Sequence, residues 1–475
     1  MCVEGAPDFI ATQLNEILPL VYHLLEDDSI AVRSATMNGV ARLADDLAEE
    51  MGKAHARLVP ALVKNYDFAL QHMRTTEPAS KEHELYTYIL KGSCIAIDSL
   101  IEGLDQEDAA RYVDELVPRF AMLFDNEDHK VQMAAISAVG AIASASEKAF
   151  EPYFSKSMQS LGRYIEIKDS NDELELRSMV VDSLGKIATA VGPKVFQPYV
   201  TPLMAASEEG LNLDHQRLKE TSFMLWSTLA KVYEEDFDHF LQGVVKSLWE
   251  CLEQEETDAE IMLGADAADL VGQEVTIAGR KIKVAGANGV SEDDVDEDDV
   301  AQALMDAQDD DDDDDDWDDL GAVTGVAMEK EIAIEVMGDV LSHTKSKFTP
   351  YMSKTIELAL PLLEHSFEGV RKSAVSTLWR AYAMLWALAE ENGMEKWQPG
   401  FPAKVKPMAD LSKLGGLIIK GTLAVLEEEV DRYVLRKLSL VLRFMMISLA
   451  TQLTPMPAGT CCETIEAVSD LRVAL

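Results

Sequence analysis

A short phrase, Phe-x-Pro-Tyr followed by a hydrophobic residue, occurs three times in the chain, starting at Phe150, Phe196 and Phe348. A fourth copy, without the proline, starts at Phe237, so the successive steps are 46, 41 and 111 residues. Each copy opens an amphipathic stretch, and the proline falls in a first helical turn, where the missing N–H has no helical partner anyway. A period of forty-odd residues predicts a stack of two-helix repeats.

A second marker has the same period. A hydrophobic residue precedes Gln132, Arg177 and Lys219, at steps of 45 and 42 residues. This phase indicates a helix A, a tight turn and a helix B that begins with small side chains. Because one such hairpin cannot bury its apolar stripe alone, we expect each to pack on the next. The sequence thus predicts an all-α fold, an α-solenoid of about eight HEAT-type helical pairs in a right-handed superhelical array that runs over 1–475 as one domain.

An insertion at 254–326 interrupts the sixth repeat. Its first part alternates in polarity over 275–284 around a central glycine, which predicts a small β-hairpin. Its second part, 291–320, holds 18 acidic residues and no basic one, including eight consecutive aspartates at 309–316. Such a composition buries too little apolar surface to offset the entropy of ordering, so we predict a disordered acidic loop.

The net charge of the chain is −43, and removing the 18 charges of 291–320 leaves −25. An acidic surface repels nucleic acid and anionic membranes and attracts basic proteins. No apolar run reaches the ~20 residues that a membrane span needs. The five cysteines are odd in number and form no CxxC pair, which is typical of a reducing compartment. We therefore predict basic protein partners, with no direct contact to nucleic acid or membrane.

Motifs for catalysis or cofactor binding are absent from the sequence. There is no phosphate-binding glycine loop, no HExxH and no GxSxG. The nine histidines fall singly along the chain, and the aspartate run lacks the glycine turn of a calcium loop. The adjacent Cys461 and Cys462 are interpreted as ordinary helix residues. The sequence predicts a protein that is not an enzyme, with no cofactor and no metal site.

The acidic loop is one candidate binding site. Its candidate residues are Asp309, Asp312, Asp316 and Trp317. One interpretation is a solubilising linker. The other is a polyanion that binds basic tails, and Trp317 favours it, because a large aromatic side chain in an aspartate run usually packs on a partner.

The row of B helices is the other candidate site. Polar residues fall early to midway along successive B helices: Ser137, Asp182, Glu220, Thr221 and Ser227. Stacked carboxylates and hydroxyls are suited to an extended peptide that carries lysines. Aromatic walls for the lysine stems are expected from Trp226, Trp379, Tyr382 and Trp386. The alternative for each of these residues is core packing or plain solvation.

Several stretches resemble a known family. They read Glu-Ile-Leu-Pro-Leu-Val at 16–21, Val-Arg-Ser-Ala at 32–35, Ala-Phe-Glu-Pro-Tyr-Phe at 149–154, Glu-Leu-Arg at 175–177, Arg-Leu-Lys-Glu at 217–220 and Leu-Ala-Lys-Val-Tyr at 229–233. Together with the aspartate run closed by Trp317, they resemble the importin-β (karyopherin-β) family of nuclear transport receptors. Within that family they resemble the importin-4 branch, which includes the fungal importer of ribosomal proteins and histones.

The resemblance implies a nuclear import receptor segment that corresponds to a central portion of a longer protein. It would bind lysine-rich nuclear localisation signals of basic cargo, such as histone tails and ribosomal proteins, and shuttle between cytoplasm and nucleus. Release by the GTPase Ran would belong to the full-length protein, and Phe-Gly nucleoporins would be further partners. Carried over by position, the residues that meet the signal are Ser137, Asp182, Glu220 and Thr228.

Two other classes of binding protein remain open. A HEAT-repeat scaffold would hold folded partners through its inter-repeat turns, and deleting 254–326 would matter little. An acidic protein of the histone-chaperone type would depend on the aspartate tract, so removing 291–320 would abolish binding.

Overall fold

The computed structural model describes residues 7–254 except 79 and 214, short strands between 261 and 285, and residues 325–428 except 366, 397 and 399–404. The α-helices in this part of the chain are α1 (Pro7–Leu24), α2 (Ile30–Asp46), α3 (Ala48–Gly52), α4 (His55–Met73), α5 (Lys81–Glu102), α6 (Gln106–Ala110), α7 (Val113–Ala121), α8 (His129–Ser146), α9 (Glu151–Leu161), α10 (Asn171–Gly210), α11 (Gln216–Tyr233), α12 (Asp238–Leu252), α13 (Gly325–Thr344), α14 (Met352–Ala359), α15 (Glu368–Glu391) and α16 (Ala409–Glu428). Short 3₁₀ turns lie at Glu147–Phe150, Gly162–Tyr164, Glu234–Phe237, Lys345–Tyr351 and Pro361–Glu364.

The helices form the predicted A–B pairs. In order, these are α1 with α2, α4 with α5, α7 with α8, α9 with the first half of α10, the second half of α10 with α11, and α14 with α15, while α12 and α13 flank the insertion. Helix α10 serves two pairs because its path bends at Gly192, where φ is +77°, a conformation that costs glycine little. The helical hairpin architecture is confirmed. Of the predicted eighth pair, α16 is the helix that the structure describes, and the continuous array over 1–475 stays a prediction.

The Phe-x-Pro-Tyr phrase marks the corner between one repeat and the next. The phenylalanines that open its copies are all fully buried: Phe150, Phe196, Phe237 and Phe348. Three of them follow, by three residues, a non-glycine residue with positive φ: Glu147, Glu234 and Lys345. Such a residue stops the preceding B helix and turns the chain, at some cost in backbone strain. Burial of the following phenylalanine ring offsets that cost.

The second marker has a different role, since it satisfies the carbonyl groups of the A–B turns. Arg177 is fully buried; its guanidinium donates to the carbonyl of Ala206 at 2.7 Å and to that of Ile167 at 3.3 Å, and it pairs with Glu209. The corresponding residues that donate to a turn carbonyl in other repeats are Arg33, Gln132 and Arg371. Buried carbonyls need such partners, which explains why a long donor recurs at this position.

The chain forms two compact units, one from Met1–Val244 with Asp339–Phe348 and one from Val245–Gly338 with Thr349–Leu475. Within the second unit, Trp249 of α12 donates its indole N–H to Thr355 of α14 at 3.1 Å. No helix in the described parts of either unit has the length and apolar character to cross a membrane.

A small sheet occurs in the insertion between α12 and α13. Its strands are β1 (Ile261–Met262), β2 (Glu274–Ile277) and β3 (Arg280–Ala285), in the order β1-β3-β2. The predicted hairpin is confirmed, because β2 and β3 are antiparallel. The predicted disorder of the acidic loop falls on 291–320, which lies outside the described residues.

Candidate functional site

Four successive B helices carry the predicted polar row. Helices α5, α8, α10 and α11 pack side by side in that order. Gly140 of α8 makes the approach to α10 close, since a Cβ there would lie 3.1 Å from the Cα of Ser183. Gly185 of α10 lies in the same way against Leu225 and Thr228 of α11. Glycine at these contacts brings the backbones together, so polar side chains from different repeats meet.

The centre of this row is a group of five side chains from three helices, which we call the lysine cluster: Asp98, Glu102, Ser137, Asp182 and Lys186. The Nζ of Lys186 lies 2.7 Å from Oε1 of Glu102 and 3.7 Å from Oδ2 of Asp182. The hydroxyl of Ser137 donates to the carboxylate of Asp98. Lys186 is on α10 and Glu102 on α5, so this ion pair spans α8, whose last turns carry mainly alanine, serine and glycine. Two of the predicted residues, Ser137 and Asp182, therefore meet in one site.

Asp98 is the most perturbed carboxyl group of the cluster. Removal from water raises its pKa to about 7, and the nearby charges of Glu102 and Asp182 act in the same direction. The hydrogen bond from Ser137 and the charge of Lys186 oppose this rise without cancelling it. An additional positive charge close to such a carboxyl group lowers its pKa and favours its charged form.

Burial and the neighbouring charges have opposing effects on the pKa of the Lys186 ammonium group. Burial alone would lower its pKa, but Asp182, Glu102 and Asp98 surround it, and the net result is a raised pKa. Lys186 is therefore fully charged at neutral pH, although 70% of its side chain is covered (30% exposed). The cluster shows that carboxylates from different repeats can together hold one ammonium group on this face of the helices.

The other predicted residues lie on α11, one repeat further along. Glu220 is half-buried and accepts a hydrogen bond from Gln216 on the same helix at 2.8 Å. The hydroxyls of Thr221 and Thr228 donate to carbonyls of their own helix, at 2.9 and 3.0 Å. Each hydroxyl keeps its oxygen lone pairs for a further donor. Glu220 is the acidic residue of α11.

Ser227 has a partner that the sequence did not indicate. Its hydroxyl donates to Oδ2 of Asp339 at 2.7 Å, across 112 positions in sequence. The contact joins α11 to the end of α13 and carries the polar row past the insertion. Asp339 follows the insertion in sequence, so its place beside Ser227 was not visible from repeat spacing.

The prediction that Trp226 forms a wall of the binding face is wrong. Its side chain is 1% exposed, and its indole N–H donates to Ser207 at 2.8 Å inside the core. The other three aromatic residues of that prediction are buried too: Trp379, Tyr382 and Trp386. One helical position turns a side chain by about 100°, so Trp226 faces the core while its neighbour Ser227 faces the polar row.

The acidic-loop candidates have no counterpart in the described structure. Asp309, Asp312, Asp316 and Trp317 lie outside the described residues. Within the described residues, no group of three or more histidine, cysteine or acidic side chains is arranged to hold a metal ion.

Three residues of the lysine cluster were missed from the sequence: Asp98, Glu102 and Lys186. Asp98 lies on the B helix of the second repeat, 39 positions before Ser137, so extending the row by one repeat would have found it. Lys186 follows Asp182 by four positions, the spacing of a helical ion pair. Its contact with Glu102, 84 positions away, had no signal in the sequence.

Comparison with known proteins agrees with this architecture. A family model described as "Importin subunit beta-1-like, TPR repeats" matches residues 80–217, a range that includes the lysine cluster. "Probable importin subunit beta-4" of Schizosaccharomyces pombe is 30% identical over 436 residues, which are 91% of this chain and 37% of that protein.

Solved structures show the same fold. Kap121p bound to Pho4p has a TM-score of 0.64 at 18% identity, over 93% of this chain and 36% of that one. Kap121p bound to Nup53p gives 0.63 at 18% identity, with the same coverage. The predicted HEAT-repeat α-solenoid is confirmed by this likeness. The chain spans about a third of the length of the proteins it matches.

Proposed function

The chain belongs to the importin-β (karyopherin-β) family, and we propose that it is the part of a nuclear import receptor that binds lysine-rich nuclear localisation signals. Members of this family are transport receptors rather than enzymes. The proposed ligand is an extended basic segment of a cargo protein, such as a histone tail or a ribosomal protein. The proposed site is the polar row on the B helices, from α5 to α11.

The observation that carries this proposal is the lysine cluster. Carboxylates from α5 and α10 hold a lysine ammonium at hydrogen-bonding distance on the face where the row was predicted. The same chemistry one repeat further on is offered by Glu220, and the hydroxyl of Thr228 lies two turns further along the same helix. Repeats present equivalent side chains at a regular rise, so an extended peptide with spaced lysines matches them.

The wider partners of the proposal rest on the family. Kap121p, which shares the fold, has been solved in complex with Pho4p and with Nup53p. We propose that the longer protein likewise binds cargo and Phe-Gly nucleoporins, releases cargo to Ran, and shuttles between cytoplasm and nucleus. Because the chain spans about a third of its relatives, these steps are assigned to the longer protein.

The acidic composition of 291–320 favours a second candidate, a polyanion that traps basic tails in the manner of a histone chaperone. A titration separates the two. The chain with and without 291–320 is titrated with a fluorescent lysine-rich histone-tail peptide at two salt concentrations. Binding that survives the deletion supports the B-helix row, and binding that disappears assigns the affinity to the acidic tract. Equal binding of a non-basic peptide would contradict both and favour a general scaffold.

A charge reversal tests the row itself. Replacing Glu220 with lysine is expected to weaken binding of a peptide with two or more lysines by about 1 to 3 kcal/mol, the range for one charge-assisted contact. The helix should persist, because Glu220 is only half-buried and its hydrogen bond to Gln216 lies within one turn of the helix. Fluorescence anisotropy measures the affinity and circular dichroism the helix content.

The matched control for this prediction is Glu208→Lys. Glu208 is exposed on the second half of α10, which is an A helix, and the exchange changes the net charge equally. Equal weakening by both variants would mean that the peptide senses total charge, and the assignment of Glu220 to the site would then be wrong.

A further inference from the structure

The cation in the lysine cluster is supplied by the protein itself. The ammonium of Lys186 takes the position in which the proposed function would place a ligand lysine, 2.7 Å from Glu102 and 3.7 Å from Asp182. Ser137, which the row also assigns to the ligand, already donates to Asp98. Three carboxyl groups and one hydroxyl are thus engaged without any ligand.

The ion pair of Lys186 with Glu102 and Asp182 can open reversibly. The side chain of Lys186 is 30% exposed and those of Glu102 and Asp182 are 50% and 42% exposed, so water reaches the pair. Lysine is a point charge on a flexible four-carbon stem, and it can leave a partly exposed site while its stem stays on the helix. A partly exposed ion pair of this kind contributes modest net stability. Its release therefore costs little.

The carboxylates, by contrast, do not remain without a cation at low cost. Asp98, Glu102 and Asp182 come from two helices, and as like charges they repel one another when the ammonium leaves. A ligand lysine that arrives as Lys186 leaves restores the balance of charge. The exchange replaces one ammonium by another, so this subsite adds less affinity than an empty one would.

We propose that Lys186 is an internal competitor: its ammonium occupies the subsite formed by Asp98, Glu102, Ser137 and Asp182, and a ligand lysine binds there by displacing it. This inference rests on the proposed function. Its consequence is that one lysine in a ligand gains little here, and ligands that also reach α11 are favoured. The apparent affinity equals the intrinsic affinity multiplied by the fraction of time for which Lys186 leaves the subsite free.

The test compares two variants that lose the same charge. Lys186→Gln should tighten binding of the fluorescent lysine-rich histone-tail peptide by about twofold to fivefold, the upper part of the range that release of one partly exposed ion pair gives. Lys231→Gln, at an exposed position on α11, controls for the change in net charge and should leave the affinity within about twofold. Equal tightening by both variants would overturn the proposal.

A second readout follows Lys186 in the unchanged chain. Amine-reactive labelling with mass spectrometry should show that saturating peptide raises the reactivity of Lys186, because its ammonium is driven into solvent. Unchanged or lower reactivity at saturation would overturn the displacement. If the chain and both variants bind the peptide equally, the competitor is refuted and the proposed function stands. If none of them binds it, both are refuted.

Discussion

Replacing Trp226 with alanine should lower the free energy of unfolding of its repeat pair by about 3 to 5 kcal/mol, the usual cost of truncating a large buried aromatic side chain. The indole is 1% exposed and packs edge-to-face on Phe223, with ring centroids 5.5 Å apart. Its N–H donates to Ser207, so α11 is tied to the second half of α10. The substitution leaves a cavity and removes a partner from a buried hydroxyl. Urea denaturation followed by circular dichroism measures the loss.

Trp226→Phe is the informative companion variant. Phenylalanine keeps most of the ring contact and loses the hydrogen bond, so its cost should be smaller than that of alanine. Where both variants remain folded, the affinity for a lysine-rich peptide should equal that of the unchanged chain, because the indole is not part of the binding face. A loss of affinity with unchanged stability would mean that Trp226 contacts the ligand, and it would contradict the buried position of the indole.

The repeat architecture was predictable because its signals are local and periodic. The rings of Phe150, Phe196 and Phe348 are buried at the same corner of successive repeats, and the phrase that carries them is visible in the sequence. The residues that turn the chain at those corners were not predicted. Glu147 and Lys345 adopt positive φ although glycine is the usual residue for that conformation, so composition offered no hint.

The candidate site was predicted in part. Repeat spacing placed Ser137 and Asp182 on one face, and both lie in the lysine cluster. Spacing cannot settle a rotation of one position along a helix, which is why Trp226 was assigned outward. The contact of Ser227 with Asp339 was missed because the insertion separates them in sequence. The ion pair between Glu102 and Lys186 depends on how closely three helices approach, and a single sequence does not carry that distance.

The proposed site would have a consequence for how a ligand is selected. In the lysine cluster one lysine already neutralises part of the carboxylate charge, whereas Glu220 on α11 contacts the neutral Gln216. Under the proposed function, a ligand lysine would therefore gain more at α11 than at the cluster, where it has to displace Lys186. Two lysines about one repeat apart on an extended chain would use both places at once. Selection then depends on the spacing of charges in the ligand as well as on their number.

Asp98→Asn should make the chain more stable at pH 8 than the unchanged chain, by about 1 to 3 kcal/mol, and this difference should shrink as the pH falls and vanish below about pH 4. The carboxyl group has a pKa of about 7 in the folded protein, because it is removed from water, and an ordinary value of about 3.9 when unfolded. Between these values the folded state binds the proton more tightly. Its contribution to stability is complete below pH 4 and is lost as the pH rises through 7.

Asparagine removes this dependence of stability on pH because it is neutral at every pH. Its side-chain oxygen can still accept the hydrogen bond from Ser137. Lys186 keeps Glu102 and Asp182 as partners, so the ion pair survives the exchange. The size expected is below the three-unit shift converted directly, since the cluster is partly open to water. Urea denaturation at pH 5, 6, 7 and 8 measures the difference. Asp28→Asn is the same exchange at an exposed turn, and its free energy of unfolding should change with pH as that of the unchanged chain does. The same result for Asp98→Asn would mean that the carboxyl group of Asp98 is hydrated.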